Sequence, residues 1–219
     1  MVLDEYRKDA DAVLDPMAKA MGDTHPDTLT WSALGCAIFA GVCFAASGLW
    51  DQRTGAIWLV VGAVFVLING VLDALDGKIA KMSGKASKRG DLLDHVVDRY
   101  SDFFMLGGIM LSPYSHHMVL GLAALMGVFL TSYMGTQAQA LGARRDYGGV
   151  LGRADRLVLM IAIPLLQFIL IWFEFPSAIP IYEGLSLNLI ELMLVWFAVA
   201  GNLTAIQRGL KTWRALEGK

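Results

Sequence analysis

The chain has 219 residues, of which 56% are hydrophobic and 17% are charged, and its formal net charge is −2. Soluble domains carry about 25% charged residues, so this composition favours an integral membrane protein. The small net charge gives no reason to expect a nucleic-acid partner. The two cysteines, Cys36 and Cys43, lie in one apolar stretch and are interpreted as packing residues rather than as a disulfide framework.

The first 25 residues precede any long apolar run. Their apolar positions, from Val2 to Met17, have a spacing typical of an amphipathic helix on the membrane surface, and an ordinary solvated helix fits equally well. Pro26 is expected to end this helix. Thr28 or Thr30 is then available to cap the first membrane helix.

Six later segments come close to the length of about 20 mostly apolar residues that a transmembrane helix needs. They are 29–50, 55–77, 91–112, 117–140, 155–174 and 187–208. We therefore predict an all-α integral membrane protein with six transmembrane helices. Its predicted parts are an amphipathic juxtamembrane segment at 1–28, a six-helix domain at 29–208 and a basic tail at 209–219.

The basic residues fall mainly on one side of this predicted bundle. Of the 18 Lys and Arg residues, 16 lie before the first segment, in the loops 78–90 and 141–156, or near the C-terminus. The exceptions are Arg53 and Arg99. Because positively charged short loops stay on the cytoplasmic side, both termini are predicted to be cytoplasmic in a multi-pass protein of the cell membrane.

Carboxylates interrupt the second and third segments near their shared cytoplasmic end. Each one costs about 2.5–3.5 kcal/mol at the bilayer centre, so the group needs a compensating partner. Asp73 and Asp76 are three residues apart and Asp94 and Asp98 four apart, which places each pair on one helix face. Arg99 is the only basic residue within these segments, so divalent cations are the better partners. The set favours Mg²⁺ or Mn²⁺, and two such ions suit phosphoryl transfer.

The spacing of these carboxylates extends into a longer pattern that includes small residues and one lysine. It reads Asp73, two residues, Asp76-Gly77, two residues, Ala80-Lys81, eight residues, Gly90, three residues, Asp94, three residues, Asp98. This pattern resembles the signature of the CDP-alcohol phosphatidyltransferase family throughout. One departure is Lys81, where the family usually has arginine. Lysine keeps the charge but loses bidentate hydrogen bonding.

The resemblance implies a role for each residue of the pattern. The metal ligands would be Asp73, Asp76, Asp94 and Asp98, and Asp98 would also take the proton from the acceptor hydroxyl as catalytic base. The CDP-lipid contacts would be Asp73, Gly77, Ala80, Lys81 and Gly90. The implied reaction moves a lipid phosphate from the CDP-lipid donor to an alcohol and releases CMP, at the cytoplasmic face. Family members are commonly homodimers.

Basic residues around the loop 141–156 suggest that the acceptor itself carries phosphate, although a topological signal explains them too. The Arg153-Ala154-Asp155-Arg156-Leu157 run resembles the phosphatidylinositol phosphate synthase branch, as does Gln207-Arg208. By that match the inositol phosphate acceptor would bind Arg153, Arg156 and Arg208. Bacterial members also carry Lys and Arg after the tyrosine that corresponds to Tyr133, and Gly135 and Gln137 stand there instead. That part of the pocket would be rebuilt, for example with Arg144 and Arg145, and this variant resembles archaeal archaetidylinositol phosphate synthases.

Other interpretations remain open at the level of sequence. The acceptor would be glycerol phosphate, serine or free inositol if the arginines serve topology alone. A cation or proton transporter would also place carboxylates in a membrane, although these cluster at one face and no inverted repeat is visible. Among neighbouring residues, Asp91 is interpreted as a helix N-terminal residue, His95 as a packing residue and Asp102 as a partner of Arg99 or of a lipid headgroup.

Overall fold

We analysed a computed structural model of the chain, in which residues 7–142, 148–182 and 185–217 are described. The first half is a succession of helices. They are α1 (Arg7–Ala20), α2 (Pro26–Ala46), a 3₁₀ turn (Ser47–Leu49), α3 (Gln52–Met82) and α4 (Lys88–Met110). The second half contains α5 (Met118–Ala140), α6 (Arg153–Trp172), strands β1 (Ala178–Tyr182) and β2 (Leu185–Asn188), α7 (Leu189–Trp196), a π-helical segment (Phe197–Gly201) and α8 (Asn202–Glu217).

Five helices of the described residues are long and apolar enough to cross a membrane. They are Pro26–Leu49, Gln52–Met82, Met118–Ala140, Arg153–Trp172 and Leu189–Glu217. The helical fold class is therefore confirmed, whereas a sixth span and the orientation of the termini stay predictions. The remaining long helix, α4, falls outside this set because charged residues fill its first half.

The helices approach one another through small residues. A Cβ atom on Gly108 of α4 would collide with the backbone of Gly41 on α2, and a Cβ on Gly41 would collide with the Phe104 carbonyl. Gly127 of α5 and Gly201 in the π-helical segment are also in close contact, and a Cβ atom on Gly201 would lie 2.9 Å from the Gly127 backbone. Lipid chains are as apolar as the side chains between the helices, so close backbone packing of this kind is a main source of helix association.

Several helix boundaries differ from the sequence prediction. Helix α2 begins at Pro26, and its cap is His25, whose side chain accepts a hydrogen bond from the Asp27 amide at 3.3 Å. The prediction that Thr28 or Thr30 caps this helix is therefore wrong. The Thr30 hydroxyl instead lies within hydrogen-bond distance of two acceptors, the Pro26 carbonyl and the Asp76 carboxylate of α3.

The connection between α3 and α4 is shorter than the thirteen residues predicted. Helix α3 continues to Met82 and α4 begins at Lys88, so only residues 83–87 connect them. Polar residues extend both helices here because Ser83 and Ser87 cap them: the Ser83 amide donates to Ile79, and the Ser87 side chain accepts from Gly90 at 3.1 Å. We call this end of the bundle the site end.

Helix α1 packs against the site end of α3. Ala18 is fully buried in a cluster with Leu29, Leu75 and Ile79. On the same side Lys78 of α3 forms ion pairs with Asp11 and Asp15 of α1. A helix is therefore present in the predicted amphipathic segment, with one face covered by protein, and its position on the membrane surface stays a prediction.

The opposite end of the bundle carries an antiparallel hairpin that the sequence analysis did not predict. Strand β1 pairs with β2 in a register that joins Ala178 to Asn188 and Pro180 to Ser186. Asn188 then caps α7 and donates to the Tyr114 carbonyl at 2.8 Å. Glu191, which is 1% exposed, completes that capping box and contacts His116. These polar contacts fasten the end of the bundle that lies away from the aspartates.

Candidate active site

The long signature identified in the sequence lies on helices throughout. Gly77, Ala80 and Lys81 belong to the last turns of α3, and Gly90 belongs to the first turn of α4. The connection is short, and both helices pack against α2, which brings their carboxylates to the same end of the bundle. Asp76 and Asp94, one from each helix, line the same pocket.

This pocket, which we call the donor pocket, has a volume of about 250 Å³. All the predicted nucleotide contacts except Asp73 line it, together with residues of α2 and of the connection. The lining residues are Pro26, Asp27, Thr30, Asp76, Gly77, Ala80, Lys81, Lys85, Ala86, Ser87, Gly90, Asp91 and Asp94. A Cβ atom on Gly77 would meet nothing within 4 Å, so the glycine leaves room beside the acidic residues. The pocket therefore combines a flat, open wall with carboxylates and lysines.

Asp76 is held by a residue that sequence reasoning assigned elsewhere. Its side chain is buried, and its Oδ2 accepts a hydrogen bond from the Thr30 hydroxyl at 2.5 Å. A bonded oxygen has a fixed orientation, which leaves the other carboxylate oxygen to face a ligand. The only sequence signal for Thr30 was its position shortly after Pro26, and a contact 46 residues away along the chain leaves no local pattern.

Asp73 and Asp98 are bridged by Arg153, the first residue of α6. The two terminal nitrogens of Arg153 each lie 2.9 Å from an oxygen of Asp73, in a bidentate pair. One of them, Nη2, also lies 2.5 Å from Oδ1 of Asp98. This second contact is an ion pair whose angles fall outside hydrogen-bond geometry. Oδ1 of Asp98 is buried, and it accepts no hydrogen bond from the described residues.

Asp94 and Asp98 also approach a histidine. One potential ligand atom from each of Asp94, His95 and Asp98 lies within 4.8 Å of the other two. The sequence analysis interpreted His95 as a packing residue, and the structure places it beside the carboxylates instead. A pocket of about 470 Å³ adjoins this group on the α5 side, where Asp98 lies near Tyr133.

The other predicted phosphate ligands make contacts within the protein. Arg156 is 2% exposed; its Nη2 lies 3.1 Å from Asp102, and its Nη1 donates to the Val128 carbonyl at 3.2 Å. Asp102 also pairs with Arg99 at 3.5 Å, one of the two partners that the sequence suggested. Arg208 donates to the Thr131 carbonyl at 2.8 Å and to the Gly148 carbonyl at 2.9 Å.

Two further predicted residues, Arg144 and Arg145, lie outside the described part of the chain. Asp91 lies in the first turn of α4, where the helix dipole favours a carboxylate, as the sequence indicated. It also lines the donor pocket.

The residues present fit a hard divalent cation. The candidate ligands are carboxylates from α3 and α4, and such oxygen donors suit Mg²⁺ or Mn²⁺. The four aspartates carry two more formal charges than Arg99 and Arg153 balance. Oδ1 of Asp98 is buried and forms an ion pair with the Arg153 guanidinium, so a cation is the partner that it accepts here.

The fold and this site define a class of protein: a multi-pass helical membrane protein with an acidic, cation-compatible site at one end of the bundle. Residues 23–204 match the CDP-alcohol phosphatidyltransferase family, and the chain belongs to this family of transferases. A search of curated proteins finds no match. The family prediction made from the signature is therefore confirmed.

Solved structures of Mycobacterium tuberculosis phosphatidylinositol phosphate synthase (PgsA1) share the fold. The structure with CDP-DAG bound has a TM-score of 0.70 at 22% identity, covering 92% of this chain and 94% of that one. The complex with manganese and citrate has a TM-score of 0.70 at 22% identity, covering 91% and 88%. The apo form has a TM-score of 0.67 at 23% identity, covering 90% and 95%.

Proposed function

We propose that this transferase moves a lipid phosphate from a CDP-lipid to inositol phosphate and releases CMP, with its site at the cytoplasmic face of the membrane. The observation that carries the proposal is a single pocket, which Asp76 of α3 and Asp94 of α4 line together with Gly77, Ala80 and Gly90. The M. tuberculosis synthase whose structures contain CDP-DAG, or manganese and citrate, supports it by analogy of fold.

The donor pocket gives each part of the CDP-lipid a complementary surface. Gly77 and Ala80 lie one helical turn apart and leave space for a flat base or ribose. Lys81 and Lys85 offer ammonium groups to the nucleotide phosphates. Asp73, Asp76, Asp94 and Asp98 would hold Mg²⁺ or Mn²⁺, with two ions as the expected number. When bound, these ions would neutralise the pyrophosphate of the donor.

Asp98 is proposed as the base that accepts the proton of the attacking hydroxyl. It is 7% exposed, and it lines the pocket on the α5 side through which an acceptor would reach it. Arg153 is near enough to contact an acceptor phosphate, because its guanidinium already touches Asp98. Arg156 and Arg208 contact other residues of the protein and do not line this pocket. We propose that they shape the acceptor pocket together with Arg144 and Arg145.

The acceptor is tested by measuring CMP release from one CDP-lipid with a panel of alcohols, with Mg²⁺ or Mn²⁺ and with a chelator. We expect the highest kcat/KM with inositol phosphate and no release in the chelator. Faster turnover with serine, glycerol phosphate or free inositol would replace the proposed acceptor and leave the donor assignment intact. Metal-independent release would overturn the role of the aspartates.

Two further properties belong to the same proposal. The distribution of basic residues favours cytoplasmic termini. Labelling of a terminal tag in sealed inside-out vesicles, whose cytoplasmic face points outward, would check this. The family resemblance suggests a homodimer, which cross-linking in native membranes would check. A tag protected inside the vesicles, or a protein that stays monomeric, would remove the corresponding part of the proposal.

A further inference from the structure

Arg153 makes an unusual contact set for a residue expected to bind substrate. Its two terminal nitrogens engage Asp73 on α3 and Asp98 on α4, at 2.5 to 2.9 Å. These two carboxylates are the members of the signature that do not line the donor pocket. The four aspartates therefore divide into a pair that lines the donor pocket, Asp76 and Asp94, and a pair bridged by a guanidinium, Asp73 and Asp98.

The backbone that carries Arg153 is held in place by other contacts. The Thr204 hydroxyl accepts hydrogen bonds from the Val150 and Leu151 amides at 3.0 and 3.1 Å. The Gly152 amide donates to Asp155 at 2.9 Å, which fixes the start of α6. The start of α6 is therefore fixed by contacts that do not involve the Arg153 guanidinium.

A divalent cation and the Arg153 fork need the same oxygens. Both oxygens of Asp73 and Oδ1 of Asp98 already face Arg153. A dication bound to these oxygens would lie within a few ångströms of a guanidinium, and the two cations would repel strongly in a partly buried site. The side chain of Arg153 is 26% exposed, so solvent is available to it on departure.

We propose that Arg153 is the internal counter-cation of the metal site, bridging Asp73 and Asp98 when no divalent ion is bound and leaving them when ions bind. The inference rests on the proposed metal role of the aspartates. It deepens that role, since the released guanidinium lies beside Asp98 and is free for the acceptor phosphate only in the metal-loaded enzyme. Metal binding would thus prepare the acceptor side of the site.

Arg156 offers a matched contrast. Its Nη2 contacts Asp102 at a similar distance, 3.1 Å, but Asp102 is not among the predicted metal ligands. Lysine at either position keeps the charge and loses the fork. Arg153→Lys and Arg156→Lys should both lower the melting temperature of the metal-free protein in detergent, by roughly 2–4 °C. With saturating Mn²⁺ the deficit of Arg153→Lys should vanish, while that of Arg156→Lys should remain.

A direct measurement of Mn²⁺ affinity, by the electron paramagnetic resonance signal of the free ion, supplies a second readout. Competition predicts that Arg153→Met binds Mn²⁺ about tenfold more tightly or better than the wild type. A purely structural Arg153 predicts weaker binding, and a deficit of Arg153→Lys that persists in Mn²⁺ would show that the bridge survives metal binding. Either result overturns the inference.

The failures of the two proposals are distinguishable. If the wild type releases CMP with Mn²⁺, but the melting temperature of Arg153→Lys stays below that of the wild type in Mn²⁺, then only the displacement of Arg153 is refuted. A wild-type protein that binds Mn²⁺ and shows the predicted displacement, but releases no CMP, refutes the proposed reaction alone. A wild-type protein that binds no Mn²⁺ refutes both.

Discussion

The two sides of the site are built in different ways. The donor side is an open pocket formed by residues of α2, α3 and α4, including Asp76, Gly77, Ala80, Gly90 and Asp94. The arginine side comes from α6 and α8, and the three of its guanidinium groups that the structure describes are engaged by the protein. Arg153 faces two aspartates, Arg156 faces Asp102 and a carbonyl, and Arg208 faces two carbonyls.

This difference distinguishes residues that are available to bind a ligand from residues whose contacts stabilise the helix packing around the site. A glycine or an exposed lysine beside a pocket contributes little to packing, so its presence there favours a binding role. A buried guanidinium needs partners whether or not a substrate comes. Positive charge near the aspartates is therefore weak evidence of an acceptor site unless the nitrogens can be released. Arg153 is more exposed than Arg156 and Arg208, the other described arginines that the sequence assigned to the acceptor.

The largest expected effect is at Asp98, where the two sides meet. Asp98→Asn keeps the shape but removes the proposed base, so kcat should fall by about 10²–10⁴-fold. CMP release under saturating CDP-lipid and acceptor measures it. Asp51→Asn, at the first-turn cap of α3 on the far side of the bundle, is the matched control and should retain activity. Retained turnover in Asp98→Asn would remove the base from the mechanism.

The next effect tests whether Arg156 holds the fold or binds the acceptor. Arg156→Gln leaves Asp102 buried with only the longer contact to Arg99, and breaking such a buried pair costs about 3–5 kcal/mol. We expect a sharp loss of melting temperature and of folded yield in detergent. If the variant is instead as stable as the wild type and needs more acceptor, Arg156 belongs with the open side of the site and the comparison fails.

Glycines give a smaller effect and a clean contrast between the two kinds of residue. Gly77→Ala adds a methyl group to the open wall of the donor pocket, so it should raise KM for the CDP-lipid while stability holds or rises by about 1 kcal/mol. Gly41→Ala would collide with the Phe104 carbonyl and should lower stability. Kinetics and melting curves on both variants check this. An unchanged KM in Gly77→Ala would mean that the CDP-lipid does not bind against this wall of the pocket.

The sequence predicted that most residues of the donor side lie together, because its information is local, while their roles stay predictions. Carboxylates three and four residues apart share a helix face whatever the rest of the fold does, and the apolar runs around them indicate membrane helices. The same spacing does not reveal where a helix ends. Polar residues extend α3 to Met82 because Ser83 caps it and because Lys78 finds its partners on α1, a segment far away in sequence.

The arginine side could not be predicted in the same way. Arg156 and Arg208 have positions in the sequence that suit a phosphate site, but their partners come from α4 and α5 or from the loop before α6. Charge patterns record that a cation is present and not which group neutralises it. His95 was underestimated for a related reason, since its angular distance from Asp94 on an ideal helix does not exclude side-chain atoms that meet within 4.8 Å.

The smallest expected effect is at Lys81, where this chain departs from the family signature. Lys81 is exposed at the rim of the donor pocket, so its side chain can be lengthened or exchanged without disturbing helix packing. Arginine there would restore a planar fork for nucleotide phosphate, and an exposed charged pair contributes about 1 kcal/mol or less. Lys81→Arg should therefore lower KM for the CDP-lipid by roughly two- to fivefold, with kcat and melting temperature unchanged. Lys19→Arg, on α1, is the control for a general gain from arginine at the surface. A change in the KM of the acceptor instead would mean that the rim of the donor pocket also receives the alcohol, and the division of the site into two sides would have to be redrawn.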